Sequence, residues 1–230
     1  MNRLIAFDAD DTLWDCQSYF DEVERRYTAI LAPYGDKEQV AESFFATEKG
    51  NMASMGFGSK AFTLSLVENA LRMSGGSLST AMIAEIISLG KSLMEMPATP
   101  LPGVAQTLSI LREKKGEETV MVVFTKGEII EQENKLRRSG LSPYFDDMHI
   151  VADKTEDSYR RLCRLYGAKP EETVMIGNSF KSDIAPALNI GAKAIYIPFH
   201  LTWKMEHTEE FDHPNLIKVE KIADILGYFK

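Results

Sequence analysis

The stretch Leu4-Ile5-Ala6-Phe7-Asp8-Ala9-Asp10-Asp11-Thr12-Leu13-Trp14-Asp15 decides how this chain is read. Leu4 to Phe7 form an apolar run of strand length that leads straight into Asp8, Asp10 and Asp11. Carboxylates crowded this closely repel one another, and a cation held between them relieves the repulsion. In open α/β sheets ligands bind beyond the carboxyl ends of the strands, which is where these acids stand.

Further apolar runs of strand length follow at Val120–Phe124, Met148–Val151, Thr173–Ile176 and Ala194–Ile197. Helical segments lie between them, one through Ile129, Ile130 and Leu136, another through Tyr159, Leu162, Cys163, Leu165 and Tyr166. Continuous apolar strands alternating with helices predict an α/β fold, a three-layer Rossmann-like parallel sheet covered on both faces. The region from 16 to 100 carries helical spacing instead, in sets around Tyr19–Leu31, Val40–Phe45, Phe62–Leu71 and Met82–Leu93. Ser79 stands as an N-cap before the last set. Pro97, Pro100 and Pro102-Gly103 mark the return. The expected organisation is a core domain of residues 1–15 and 101–230 and an inserted helical domain of residues 16–100.

The other strand ends carry matching chemistry. Val120–Phe124 runs into Thr125-Lys126-Gly127, and Thr173–Ile176 into Gly177-Asn178-Ser179 with Asp183 soon after. Lys154 lies just past the third strand. In a parallel sheet all of these meet at one crevice, suited to Mg²⁺ held by carboxylates and to a phosphate held by a hydroxyl, backbone N–H groups and a lysine.

Composition narrows the field. The chain has 230 residues, 44% of them hydrophobic, and a net charge of −8, with no basic patch to draw nucleic acid. The basic pairs Arg137-Arg138 and Arg160-Arg161 read as solvated helix faces. The N-terminal apolar segment is too short for a signal peptide, and no run is long enough to span a bilayer. Cys16 and Cys163 make no disulfide framework and fit a reducing cytoplasm.

The sequence resembles the haloacid dehalogenase-like (HAD) hydrolase superfamily, C1-capped phosphatase branch. The resemblance is carried by Asp8-x-Asp10-x-Thr12-Leu13, the strand ending in Thr125, Lys154, and Gly177-Asn178-Ser179 with Asp183. It covers essentially the whole chain, with residues 16–100 in the position of a C1-type α-helical cap. It implies Mg²⁺-dependent hydrolysis of a small-molecule phosphate monoester through an aspartyl-phosphate intermediate. It further implies Asp8 as nucleophile and Asp10 as acid and base. Thr125, Lys126 and Lys154 would bind phosphate, and Asp8, Asp10, Asn178 and Asp183 would hold or orient the metal. Dehalogenases of the superfamily usually lack the acid at Asp10. The family usually carries Gly-Asp where this chain has Gly177-Asn178, which removes one negative charge from the metal shell. A phosphomutase and a catalytically silent phosphate-ligand binding protein are the alternatives.

Other residues have plainer readings. Asp11 is expected as an exposed loop acid, Asp15 as a helix N-cap, and Glu156 and Asp157 as first-turn helix acids. Gly56-Phe57-Gly58-Ser59-Lys60 reads as a connector or as a loop that brings Lys60 to the substrate. His200 and Trp203 follow the fifth strand and have packing as their expected role. The sequence does not fix the oligomeric state.

Overall fold

The structure is a computed structural model and describes residues 3–229. Along the chain lie β1 (Arg3–Phe7), α1 (Gln17–Ile30), α2 (Lys37–Met55), α3 (Ser59–Met73), α4 (Thr80–Met94), α5 (Val104–Lys114) and β2 (Thr119–Lys126). They are followed by α6 (Ile129–Arg138), β3 (Asp147–Val151), α7 (Glu156–Leu165), β4 (Thr173–Gly177), α8 (Ala185–Asn189), β5 (Lys193–Tyr196) and β6 (Leu216–Lys218). The chain divides into two compact units, one made of residues up to Gln17 and from Ala98 onward, the other of Ser18–Pro97.

The first unit is built on a six-stranded sheet in the order β3-β2-β1-β4-β5-β6, every neighbouring pair parallel. Side chains alternate across it with period two. Ile5, Phe7, Met121, Val123, Val174 and Ile176 pack on one face with Val104, Leu108 and Leu111 of α5 and Leu136 of α6. Leu4, Ala6, Val122, Phe124 and Met175 pack on the other with Tyr159 and Leu162 of α7 and Leu188 of α8. Both faces are apolar because both are covered, which is why the strands read as unbroken hydrophobic runs. The expected three-layer α/β fold is therefore present. The sequence reading lacked β6, a three-residue edge strand that is half-exposed and too short to stand out. The edge position explains its weak pattern, since only part of it is buried.

The second unit is helical. Asp36 caps α2 through Gln39 N at 2.9 Å, and Gln39 Oε1 returns the bond to Asp36 N at 3.1 Å. Ser79 accepts from Met82 N at 3.2 Å and caps α4 as its position suggested. The buried Asn69 ties three helices together. Its Nδ2 donates to Tyr27 of α1 at 2.8 Å and its Oδ1 accepts from Ser43 of α2 at 2.7 Å. Among the described residues no helix is long and apolar enough to cross a membrane.

α3 and α4 touch at Gly90, where an added Cβ would stand 2.0 Å from Thr63 Oγ1. Helix propensity alone favours alanine over glycine by about 1 kcal/mol. The clash with a stiff β-branched side chain opposes it with an overpacking cost of about 1–3 kcal/mol. Gly90→Ala is therefore expected to destabilise the protein despite the propensity gain, seen as a lower urea midpoint; an unchanged or higher midpoint would show that the helices can separate freely.

Candidate active site

Sheet register sets the site. Phe7 pairs with Val123 on one side and Ile176 on the other, so Asp8 emerges one step beyond, level with Phe124 and Gly177. Its N–H donates to Ile176 O at 2.8 Å, which extends the ladder to Asp8 itself. Lys154, three residues past β3, is buried and its ammonium pairs with Asp8 Oδ1. The same Nζ lies 2.6 Å from Asp183 Oδ1. Burial and the neighbouring Asp183 raise the Asp8 carboxyl, and Lys154 offsets only part of that. Burial works against the Lys154 charge, but Asp183 and Asp8 more than reverse it, so the lysine stays protonated.

Asp183 sits in a wide π-type turn, Phe180–Ile184, that follows β4. Ser179 N donates to Asp183 Oδ2 at 2.9 Å, and Tyr159 Oη braces the turn through the carbonyls of Ser182 and Asp183, 3.1 Å each. The carboxylate lies flat against Gly177, where a Cβ would fall 2.3 Å from Asp183 Oδ2. Glycine stands there because the acid needs the space.

Thr12 donates to Asp8 Oδ2 at 3.0 Å. The Asn178 amide completes the network when its nitrogen faces Asp8 Oδ2 at 3.2 Å, Thr12 Oγ1 at 3.1 Å and the Asp10 carbonyl at 3.3 Å. One carboxylate, one backbone carbonyl and one amide therefore converge on a single point. Among the described residues no three His, Cys, Asp or Glu side chains form a metal cluster. The convergent set is nonetheless an oxygen set once the amide turns, and it fits a hard cation such as Mg²⁺, which takes few protein ligands and completes its shell with water and phosphate. Both Asp183 oxygens are already engaged by Lys154 and Ser179, so Asp183 acts on this point through Lys154.

The Asp10 side chain is held apart from that point. Its oxygens accept from Trp14 Nε1 at 2.7 Å, Gln132 Nε2 at 2.8 Å and Lys135 Nζ at 3.0 and 3.1 Å. Burial alone would raise this carboxyl; the Lys135 charge and the three donors outweigh it and lower it. Lys135 is buried and also lies 3.3 Å from Glu131. The sequence reading missed this cluster. It recognised this helix only by its apolar residues Ile129, Ile130 and Leu136, whereas the two isoleucines are exposed and Glu131, Gln132 and Lys135 are buried beside Leu136.

One expectation for the loop acids is corrected. Asp11 is half-buried rather than exposed, in a left-handed conformation with φ 62°. Its Oδ1 accepts from Cys16 N at 2.8 Å and Gln17 N at 2.9 Å, the amides at the start of α1. Lys126 is engaged by protein groups. Its ammonium lies 2.7 Å from Glu206 Oε1 and 2.8 Å from Ser182 Oγ, and 3.8 Å from Asp153, which makes it an anchor at the end of β2. Thr125 is buried at the same strand end, its hydroxyl 3.3 Å from Lys126 O. Lys60 is exposed in the first turn of α3 in the helical unit. His200 is exposed with its ring against Phe199 at 4.2 Å, and Trp203 is half-buried. Glu156 and Asp157 lie in the first turn of α7 as expected.

The sequence matches the description "haloacid dehalogenase-like hydrolase" over residues 2–191. The chain belongs to the haloacid dehalogenase-like hydrolase family. Within it, a glyceraldehyde 3-phosphate phosphatase of Methanothermobacter thermautotrophicus is 26% identical over 98% of this chain and 97% of its own length. The human N-acylneuraminate-9-phosphatase is 27% identical over 52% of this chain and 49% of its own length. Among solved structures, a haloacid dehalogenase-like family hydrolase from Xanthomonas campestris superposes with a TM-score of 0.87 at 30% identity, covering 99% of this chain and 90% of that one. L-2-haloacid dehalogenase from Xanthobacter autotrophicus shares the fold, with a TM-score of 0.66 at 18% identity over 98% of this chain and 97% of that one.

Two substitutions test the geometry of this HAD-like site. Gly177→Ala is expected to displace Asp183, with an overpacking cost of about 1–3 kcal/mol in thermal unfolding and loss of most hydrolytic activity. Wild-type turnover in that variant would show that Asp183 does not need its place. Lys135→Met leaves Asp10 and Glu131 without their buried cation, and breaking such a pair costs about 3–5 kcal/mol. An unfolding free energy within about 1 kcal/mol of wild type would show that the cluster is already well solvated.

Proposed function

We propose that this hydrolase cleaves a small-molecule phosphate monoester, using Mg²⁺ and an aspartyl-phosphate intermediate on Asp8. The observation that carries the reading is a buried carboxylate at the end of the central strand, balanced by a buried lysine and followed two residues later by a second acid. Relatives named for glyceraldehyde 3-phosphate and N-acylneuraminate 9-phosphate point to a phosphorylated metabolite of that size.

Asp8, the Asp10 carbonyl and Asn178 are assigned to the metal. When bound, Mg²⁺ supplies positive charge that lets an anionic phosphoryl group approach the Asp8 carboxylate. An Asp8 oxygen then attacks phosphorus, the P–O bond to the leaving group breaks, and Asp10 delivers a proton to the departing oxygen. Water attacks next, Asp10 takes its proton, and the Asp8–phosphorus bond breaks to release phosphate. A lysine ammonium has three donors, and Lys154 gives one to Asp8 and one to Asp183; the third is left for a phosphoryl oxygen, which we also assign to the Thr125 hydroxyl. Asp10 as held by Lys135, Gln132 and Trp14 is an anion, the form that accepts a proton from water. Serving as the acid requires it to leave Lys135. We assign the helical unit as a C1-type cap that selects the substrate, and Lys60 as a substrate-binding residue.

Asp8→Asn removes the nucleophile while Lys154 keeps Asp183, so the variant should fold and turn over nothing. A phosphate-release screen over phosphorylated metabolites, with Mg²⁺ and with EDTA, is the direct test. Release by wild type only with Mg²⁺, and none by Asp8→Asn, is the expected result; equal release by both proteins would refute the covalent route.

A further inference from the structure

The segment after β5, Ile197-Pro198-Phe199-His200-Leu201-Thr202-Trp203, leads into a short 3₁₀ turn, Lys204–Glu206. Glu206 points its carboxylate inward, only 13% exposed. Oε1 accepts from Lys126 Nζ at 2.7 Å, and Oε2 accepts from Ser179 Oγ and Ser182 Oγ at 2.5 Å each. Lys181 Nζ donates to Met205 O at 2.6 Å, a second tie between the same two segments. Burial opposes the Glu206 charge, but Lys126 and the three hydrogen bonds bring the carboxyl down to about 2. It is ionised throughout the physiological range.

We propose that Glu206 is a positioning residue for hydrolysis, clamping the ends of β2 and β4 so that Asp183 and Lys154 stay on Asp8. The inference rests on the phosphatase reading above and adds to it a residue outside the recognised motifs. The connection is continuous. Ser182 N donates to Ser179 Oγ at 3.0 Å, and Ser179 N donates to Asp183 Oδ2 at 2.9 Å. Asp183 Oδ1 holds Lys154 at 2.6 Å, and Lys154 holds Asp8. Glu206 orients both serine hydroxyls at the start of the turn that supplies Asp183. On the other side it fixes Lys126, the residue next to Thr125. No bond in this chain of contacts forms or breaks in the reaction; its effect is placement, and small misplacements of a nucleophile or its partners are costly in rate.

The test uses the full-length protein with p-nitrophenyl phosphate and Mg²⁺. Glu206→Gln keeps the shape but loses the charge, and is expected to lower kcat roughly 10- to 100-fold with KM changed by no more than about twofold. Lys126→Met should do the same, and the double variant should be no worse than the weaker single one, because both act through one clamp. Wild-type kcat in a folded Glu206→Gln overturns the proposal, as does a loss confined to KM. Should Glu206→Gln fail to fold, Ser179→Ala/Ser182→Ala leaves the Glu206–Lys126 pair in place and must still lower kcat; wild-type kcat there overturns the proposal too. Absence of phosphate release by the wild-type protein from p-nitrophenyl phosphate and from every metabolite screened would remove the phosphatase reading and the clamp together. An active wild type with unaffected variants removes the clamp alone.

Discussion

The site depends on one buried ammonium. Lys154 lies between Asp8 and Asp183, and the three groups come from the ends of β1, β3 and β4. Taking each charge out of water costs several kcal/mol, and mutual attraction repays that only in good geometry. A well-packed apolar trio would hold the strands together equally well. The arrangement is therefore intelligible as chemistry rather than as stability. Two carboxylates and one ammonium leave a net charge of −1, and burial together with the neighbouring Asp183 raises the Asp8 carboxyl. The proposed attack needs Asp8 ionised, so under that reading the cluster calls for one more positive charge at Asp8. The Asn178 amide and the Asp10 carbonyl stand where a hard cation would supply it.

Asp10 has the same kind of environment with the opposite outcome. Lys135 lies between Asp10 and Glu131, again one cation between two acids. Here the donors Trp14 and Gln132 add to the lysine, and the Asp10 carboxyl is lowered. Two acids separated by one residue in sequence are thus driven apart in acidity: burial and Asp183 outweigh Lys154 at Asp8, while Lys135 and its fellow donors outweigh burial at Asp10. Gln132 binds both Asp10 and the Lys126 carbonyl through its Nε2, so α6 also ties Asp10 to the end of β2. Gln132 Oε1 is left without a partner in the described hydrogen bonds, and its amide cannot turn over without losing both contacts.

The fold and the residues that meet at Asp8 were legible because both follow from position. Strands buried on two faces announce themselves as continuous apolar runs, and parallel connection puts every strand end on one edge. Asp8, Lys154, Asn178 and Asp183 lie at such ends, and the structure brings them together. Lys126 occupies an equally good position and was read the same way. What sequence could not show is that a glutamate eighty residues later takes its charge. β6 failed for a different reason, since three half-exposed residues carry too little pattern.

The residues that hold the site in place were illegible for a common physical cause. α6 buries Glu131, Gln132 and Lys135 and exposes Ile129 and Ile130, the reverse of the polarity by which amphipathic helices are recognised. Glu206 ends a three-residue 3₁₀ turn, too short for any period to mark an inward-facing side chain. Asp11 looked like a solvated acid because a left-handed turn that aims a carboxylate at two amides leaves no periodic signature. A helix presents its polar face inward only when something inside requires charge. In this protein that requirement is Asp10. The inverted helix is itself a signal, readable once the strand-end acids are recognised: two exposed isoleucines on a helix bordering a carboxylate cluster imply that the buried face has been given over to holding it.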